Sequence, residues 1–325
     1  MTYQKNAYTS ELEKEFKLLS ILEGVEISET LTLFPITKDL GHLYISNLLT
    51  LEEASSLKEF KIAETGDVNK VKIINKSGQD VLLLNGEIFE GAKQNRTLND
   101  STLLPGQGEF MMDVSCVEQN RWSSTYGKFN YSNDLHNFRA KGNKMFYVNE
   151  SKINTGRKRS NQSEVWKDIQ EKQRNLNVSS NTSSINDTYR SAYSKLEQLN
   201  LKIEQVKDQV GFIFYLKNTC LGIEFFNSPS LFSKYSKKLT RSILIDAIEL
   251  ETSRDPFLKY QTSFNEREIK DKFVTLIKGL KEKVIPGPYE GREVVLNYPD
   301  LDISLGAITK EDSIIHLSGY QRLRR

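Results

Sequence analysis

The chain has 325 residues, 38% of them hydrophobic and 27% charged, a globular composition with enough length for a substantial core in one large or about two domains. Its 45 basic and 43 acidic residues leave a net charge of +2, which gives no electrostatic case for nucleic acid beyond a short local patch. No apolar run reaches the roughly 20 residues that span a bilayer, and the N-terminal MTYQKNAYTSELEKEF has no apolar secretory core.

In chain order, residues 8–22 place Leu12, Phe16, Leu19 and Leu22 at helical spacing. LTLFPI and HLYISN read as short strands. TLEEASSLKEF begins with Thr50 as N-cap and has Glu53 at the capping-box position, so a short helix is expected. VKIINKSGQDVLLLNGEIFEG then reads as strand, turn, strand, tight turn, strand, an antiparallel meander. Asn85-Gly86 marks the tight turn, because a type I′ hairpin needs positive φ at both central positions. FMMDVSCVE is a further strand.

Residues 123–163 are aromatic, Asn-rich and basic, with no clear periodicity. SEVWKDIQEKQRNL and TYRSAYSKLEQLNLKIEQVKDQV have helical spacing, with the polar NVSSNTSSINDT as a loop between them. GFIFYL and LGIEFF form a second hairpin. In PSLFSKYSKKLTRSILIDAIELE, Leu231, Tyr235, Leu239, Ile243 and Ala247 recur every fourth residue, and Pro229 suits the first turn of a helix. REIKDKFVTLIKGL is another helix, and the tail from Arg292 reads as two or three strands.

Strands in runs and helices in runs predict an α+β fold: antiparallel meanders and hairpins forming one or two sheets, packed with several amphipathic helices. The expected organisation is a β-rich part over residues 1–150 that carries the polar motifs, a helical hairpin insert over 151–210, and an α+β part over 211–325 packed on the first as one unit.

The chemistry concentrates in two stretches. A two-residue turn at Asn85-Gly86 would set Glu87 on a face with Leu82, Leu84 and Phe89. A carboxylate there is partly desolvated, which raises its pKa and makes Glu87 a candidate acid, base or polar anchor; the alternative is an exposed turn end. AKQNR offers amide donors and acceptors in Gln94 and Asn95 and a phosphate- or carboxylate-binding fork in Arg96, although polar loops share that composition. In FMMDVSCVEQNRW, Cys116 falls on an apolar stripe, which favours a buried structural thiol over a nucleophile. Glu118 ends that strand, and Arg121 with Trp122 could bind a planar ring and an anion or simply pack together.

The remaining signals are weaker. The basic clusters RKR at 157–159 and KYSKK with Arg241 read as solvated faces. No Walker-type or dinucleotide glycine motif and no nucleophile elbow is present. Cys116 and Cys220 form no disulfide framework or metal motif, and His42, His136 and His316 have no metal-ligand spacing. The expectation is a reducing, cytoplasmic setting, no zinc, and no identifiable cofactor; a harder cation at the glutamates stays open.

GEIFEGAKQNR followed by VSCVEQNRW resembles the signature of the ADP-ribosylglycohydrolase- and rhodanese-phosphatase-associated protein domain family, a domain of unknown function. GFIFYLKNTCLGIEFFNSPSLFSKYSKKLTRSILIDAIE is similar to its second block. The resemblance implies NAD- or ADP-ribose-linked metabolism or conflict systems, and one shared site built from Glu87, Gln94, Asn95, Arg96, Cys116, Glu118, Arg121 and Trp122. Two functions follow. In the first, the protein binds or processes a nucleotide-like or ADP-ribose-like phosphorylated ligand: Glu87 and Glu118 act as acid/base pair, Arg96 and Arg121 bind phosphate, Gln94 and Asn95 orient sugar or base, and Trp122 stacks. In the second, it is a non-catalytic interaction or scaffold protein whose Glu/Arg/Gln/Asn cluster is a buried structural network.

Overall fold

The computed structural model describes residues 17–39, 47–123, 128–216, 219–253, 281–286, 292–298, 303–310 and 313–322. The chain forms β1 (Leu19–Ile21), β2 (Val25–Glu26) and β3 (Leu31–Lys38), then the short helix α1 (Leu51–Ser55). Next come β4 (Phe60–Glu64), β5 (Lys70–Asn75), β6 (Val81–Leu83), β7 (Glu87–Gly91), β8 (Arg96–Leu98), β9 (Thr102–Leu104), β10 (Gly108–Cys116) and β11 (Phe129–Leu135). Helices α2 (Phe138–Thr155), α3 (Gln162–Asn175), α4 (Ile185–Ser191) and α5 (Tyr193–Asn200) follow. Strands β12 (Gln209–Leu216) and β13 (Thr219–Phe226), helix α6 (Pro229–Thr252) and strands β14 (Lys281–Pro286), β15 (Arg292–Tyr298), β16 (Ile303–Lys310) and β17 (Ser313–Gln321) complete the order.

The fold is α+β. A nine-stranded sheet runs β1-β3-β12-β13-β17-β16-β15-β14, with β2 also on β3, and a six-stranded sheet runs β11-β7-β8-β10-β5-β4. The β6-β9 pair stands apart. All these ladders are antiparallel.

Two apolar cores form among the described residues. The larger joins Leu31, Leu33, Phe212, Phe214 and Phe226 of the nine-stranded sheet to the predicted α6 stripe. The smaller lies on the six-stranded sheet, where Ile62, Ile73, Phe89, Leu98 and Met112 pack with Leu51 and Ala54 of α1. Helix α1 has the predicted capping box: the Thr50 hydroxyl accepts from Glu53 N at 3.1 Å, and the Glu53 carboxylate accepts from Thr50 N at 2.8 Å. No helix of the described residues is long and apolar enough to cross a membrane.

The structure departs from the sequence reading in two places that shape the site. The strands of 71–91 form, but not as a meander: β5 pairs with β4 and β10, β6 with β9, and β7 with β8 and β11. At the tight turn Glu87 N donates to Leu84 O at 3.1 Å, yet of the two central residues only Gly86 has positive φ, +94°. That is type II geometry, which does not match the twist of a two-residue hairpin. Its two arms therefore leave into different sheets, and Glu87 shares its ladder face with Phe89 but not with Leu82 and Leu84.

The second departure is in the stretch without periodicity, which forms β11 and the 18-residue α2. The buried face of α2 holds Lys141, Lys144, Asn149 and Lys152 beside Phe138, Met145 and Val148, so no apolar stripe announces it. The helical pattern predicted through Val210 stops at Asn200, and Gln209 already opens β12. Of the helix expected over 8–22, Leu19–Ile21 forms a strand and residues 8–16 lie outside the described residues. Residues 42–46 of the strand expected over HLYISN, and the helix expected at 267–280, also lie outside them.

Candidate functional site

The signature residues divide between two networks. The first is a clasp between the loop after β7 and the segment after β10. Arg121 donates to Ala92 O at 2.7 Å, Gly91 O at 3.3 Å, Ser123 O at 3.1 Å, Asn95 Oδ1 at 3.1 Å and Glu118 Oε2 at 2.6 Å. Glu118 Oε2 also accepts Asn95 N at 3.1 Å, and Gly91 N donates to Asn95 Oδ1 at 2.9 Å. Burial raises the Glu118 pKa, but the Arg121 and Asn95 donors outweigh it, and the carboxyl stays below its usual range. Asn95 Nδ2 reaches Ser184 Oγ at 3.4 Å, and Asn120 N donates to Thr182 O at 3.1 Å, so the predicted polar loop is tied to the same clasp.

Arg96 is 1% exposed. Its Nη1 donates to Gln94 O and Gln94 Oε1, both at 3.1 Å, and burial lowers its pKa. Gln94 Nε2 donates to Gln119 O at 3.2 Å. Cys116 lies opposite Arg96 and is buried, with its thiol pKa pushed up by burial, as for a structural cysteine. Trp122 is 59% exposed. His42 and the Cys220 side chain lie outside the described residues.

Glu87 belongs to the second network. The ladders Ile88↔Thr97 and Val114↔Leu98 set Glu87 level with Val114, four residues before Glu118 and two strands away. Strand geometry separates the two glutamates by about 13 Å along the sheet and about 10 Å across it. Carboxylates that work as a pair in glycosidases lie roughly 5–10 Å apart. The expected Glu87–Glu118 pairing is not made, because the two residues sit at opposite ends of their strands.

Glu87 is fully buried, and Lys238 Nζ of α6 donates to its Oε2 at 3.3 Å. Desolvation raises its pKa despite Lys238. The turn before it leads inward: His136 N donates to Gly86 O at 2.7 Å, and Gly86 N donates to Leu98 O at 3.1 Å. A Cβ at Gly86 would stand 2.7 Å from Lys141 Cδ. Lys141 Nζ donates to Glu224 Oε1 at 3.2 Å, Tyr320 OH donates to the same oxygen at 2.5 Å, and His316 Nε2 meets Glu224 Oε2 at 3.0 Å.

The sheet explains this convergence. Glu224 of β13 and His316, Ser318 and Tyr320 of β17 share one face, with registers Gly222↔Tyr320, Glu224↔Ser318 and Phe226↔His316. Helix α2 covers that face, and Phe138 packs edge-on to Tyr320 at 4.9 Å over the bare Gly222. Burial pushes the Glu224 pKa up, but Lys141 and the His316 and Tyr320 bonds pull it below the ordinary value. In the tautomer that donates Nε2–H to Glu224, His316 Nδ1 is an acceptor.

Among the described residues, seven buried polar atoms of the turn, of the β11–α2 junction and of His316 have no hydrogen-bond partner: Asn85 Nδ2 and Oδ1, Glu87 Oε1, His136 Nδ1 and Nε2, Asn137 Oδ1 and His316 Nδ1. Folded proteins leave few such atoms, and clustered exceptions point to water, ion or ligand contacts or to catalysis. Burial and the nearby lysines hold the His136 pKa well below its usual value, so its ring is neutral. Among the described residues no group of three or more His, Cys, Asp or Glu side chains is placed to hold a metal.

Sequence reading nominated Glu87 here and missed Asn85, His136, Lys141, Lys144, Glu224, His316 and Tyr320. The available signal was polar residues at core positions of apolar strands, as in GIEFFN and SIIHLSGY. A cavity of about 290 Å³ lies elsewhere, lined by Val25, Ile27, Leu33, Pro35, Ile203 and Phe212 among others, and it carries none of these residues.

No curated protein and no solved structure matches the chain. Residues 20–320 match the family model of the ARG and Rhodanese-Phosphatase-superfamily-associated Protein domain. That match takes in the six-stranded sheet, α2, α6 and most of β17, and with them both polar networks: the protein belongs to the ARPP-1 family.

Proposed function

We propose that the protein binds and hydrolyses a nucleotide-like or ADP-ribose-like phosphorylated ligand at the interior cluster around Glu87. The observation that carries this reading is the set of seven unpartnered polar atoms on Asn85, Glu87, His136, Asn137 and His316. Their environments also divide the acid and base roles. Burial raises the Glu87 pKa, the direction that a proton donor to a leaving oxygen needs, whereas the Glu224 pKa is lowered. His316, oriented by Glu224, offers Nδ1 as the base that activates water. The family's association with ADP-ribosylglycohydrolases supports an ADP-ribose-linked setting, and a cytoplasmic one is proposed with it.

For Gln94, Asn95, Glu118 and Arg121, the saturated bonding of Arg121 favours the scaffold role. A thermal-shift screen against ADP-ribose, NAD, mononucleotides and inorganic phosphate tests the proposal. A ligand at a hundred times its Kd should raise the midpoint by roughly 5 °C or more. The proposal also expects Glu87→Gln to keep the shift and lose turnover. No shift with any of these compounds overturns it.

A further inference from the structure

Helix α2 buries three lysines along one side. Asn137, Lys141, Lys144, Val148 and Lys152 follow the three- and four-residue spacing of a single helix face, and all five are buried. Lysine is almost never fully buried without a partner. Lys141 has Glu224, and Lys152 has Asp100 at 2.6 Å. Lys144 is 2% exposed and pairs with no carboxylate among the described residues. Its Nζ donates to Leu98 O at 2.5 Å and to Thr97 Oγ1 at 3.4 Å.

The position of that amine matters. Leu98 O also accepts Gly86 N, so Lys144 Nζ lies against the turn that carries Asn85 and Glu87. His136, with both ring nitrogens unpartnered, closes on the same turn. Desolvation, reinforced by Lys141, holds the Lys144 pKa well below its usual value. Desolvation beside another cation favours the uncharged amine, the form that attacks carbonyl carbon.

We propose that Lys144 captures the ligand covalently, its Nζ forming an imine with the aldehyde of a ring-opened ribose phosphate. This rests on the reading of the interior cluster as a ligand site and adds a covalent step to it. Nζ adds to the anomeric carbon, and the carbonyl π pair moves to oxygen, which takes a proton. The resulting carbinolamine expels that oxygen as water, and the nitrogen lone pair forms the C=N bond. The two Nζ protons leave with the oxygen, and nothing is oxidised or reduced. His136, whose two ring nitrogens have no other partner among the described residues, relays the proton, accepting from nitrogen at one ring nitrogen and donating to the departing oxygen from the other.

Borohydride trapping tests the proposal. The full chain is incubated with ribose phosphate and sodium borohydride, and the reduced adduct is located by peptide mass spectrometry. The expected result is one secondary amine per chain, at Lys144, with none at that position in K144R. Lack of an adduct at Lys144, or labelling spread over surface lysines alike in wild type and K144R, overturns it. The mapping reads the wild-type chain, so it decides the matter whether or not K144R folds. A parallel thermal shift with ADP-ribose separates the two ideas. A shift without an adduct at Lys144 removes the imine and keeps the ligand site, and neither signal removes both.

Discussion

Lys141 and Lys144 lie one helical turn apart on the buried face of α2, yet Lys141 has a carboxylate, Glu224 at 3.2 Å, and Lys144 has the carbonyl of Leu98. The first contact is an ion pair, and the second leaves the amine without a carboxylate among the described residues. Removing one member of a buried ion pair strands the other charge, at a cost of about 3–5 kcal/mol. Glu224→Gln should therefore lose about that much stability in urea unfolding. A loss below about 1 kcal/mol would show that Lys141 finds other compensation.

Glu87 gives a pH dependence with a definite sign. Its folded pKa is raised by burial, so its contribution is fully present below the unfolded value and is lost as pH rises through the folded one. Glu87→Gln removes that titration. The variant should match the wild type in mild acid and exceed it at pH above neutrality, as read from unfolding midpoints across pH. A wild-type advantage that grows with pH would mean that the Lys238 contact keeps Glu87 ionised.

Acid sensitivity should come from other carboxylates. Burial alone would raise Asp100, but Lys152 and Lys158 bring it to about 2; Lys172 and Arg139 do the same for Glu249. Depressed folded values mean stability that is present above the unfolded pKa and lost as pH falls towards 2, on the order of 2 kcal/mol for each group. Lys152→Met should flatten that loss in denaturant titrations between neutral and strongly acid pH. An unchanged acid limb would remove Asp100 from the account.

Arg121 and Trp122 should behave oppositely despite being neighbours. Arg121→Ala opens the clasp and leaves Glu118, only 6% exposed at its side chain, without its cation, a loss of about 2–4 kcal/mol. Trp122→Ala, at an exposed position, should stay within about 0.5 kcal/mol of wild type. Neither should alter the thermal shift produced by a ligand. A lost shift in folded Arg121→Ala would return Arg121 to the binding site.

Local signals were legible where one residue type dominated a period. The α6 stripe, the Thr50 capping box and the β12-β13 hairpin each follow from nearby residues, and each forms. Helix α2 was not legible, because its buried face is half lysine and asparagine, and burial of those residues depends on partners elsewhere in the chain. The strands around Asn85-Gly86 were legible as strands, but their pairing was not: the type II turn and the competing partners β8, β9 and β11 decide it.

Composition and periodicity by themselves determined the α+β class and the buried character of Cys116, and the motif stretches carried the family resemblance. Tertiary structure alone decided which charge meets which. Glu118 closes on Arg121 three residues away, while Glu87 meets Lys238, 151 residues distant. Whether a glutamate is a clasp or an acid, and whether a lysine is a counter-ion or a nucleophile, depends on desolvation and on the nearest opposite charge. Both are set by contacts between distant parts of the chain.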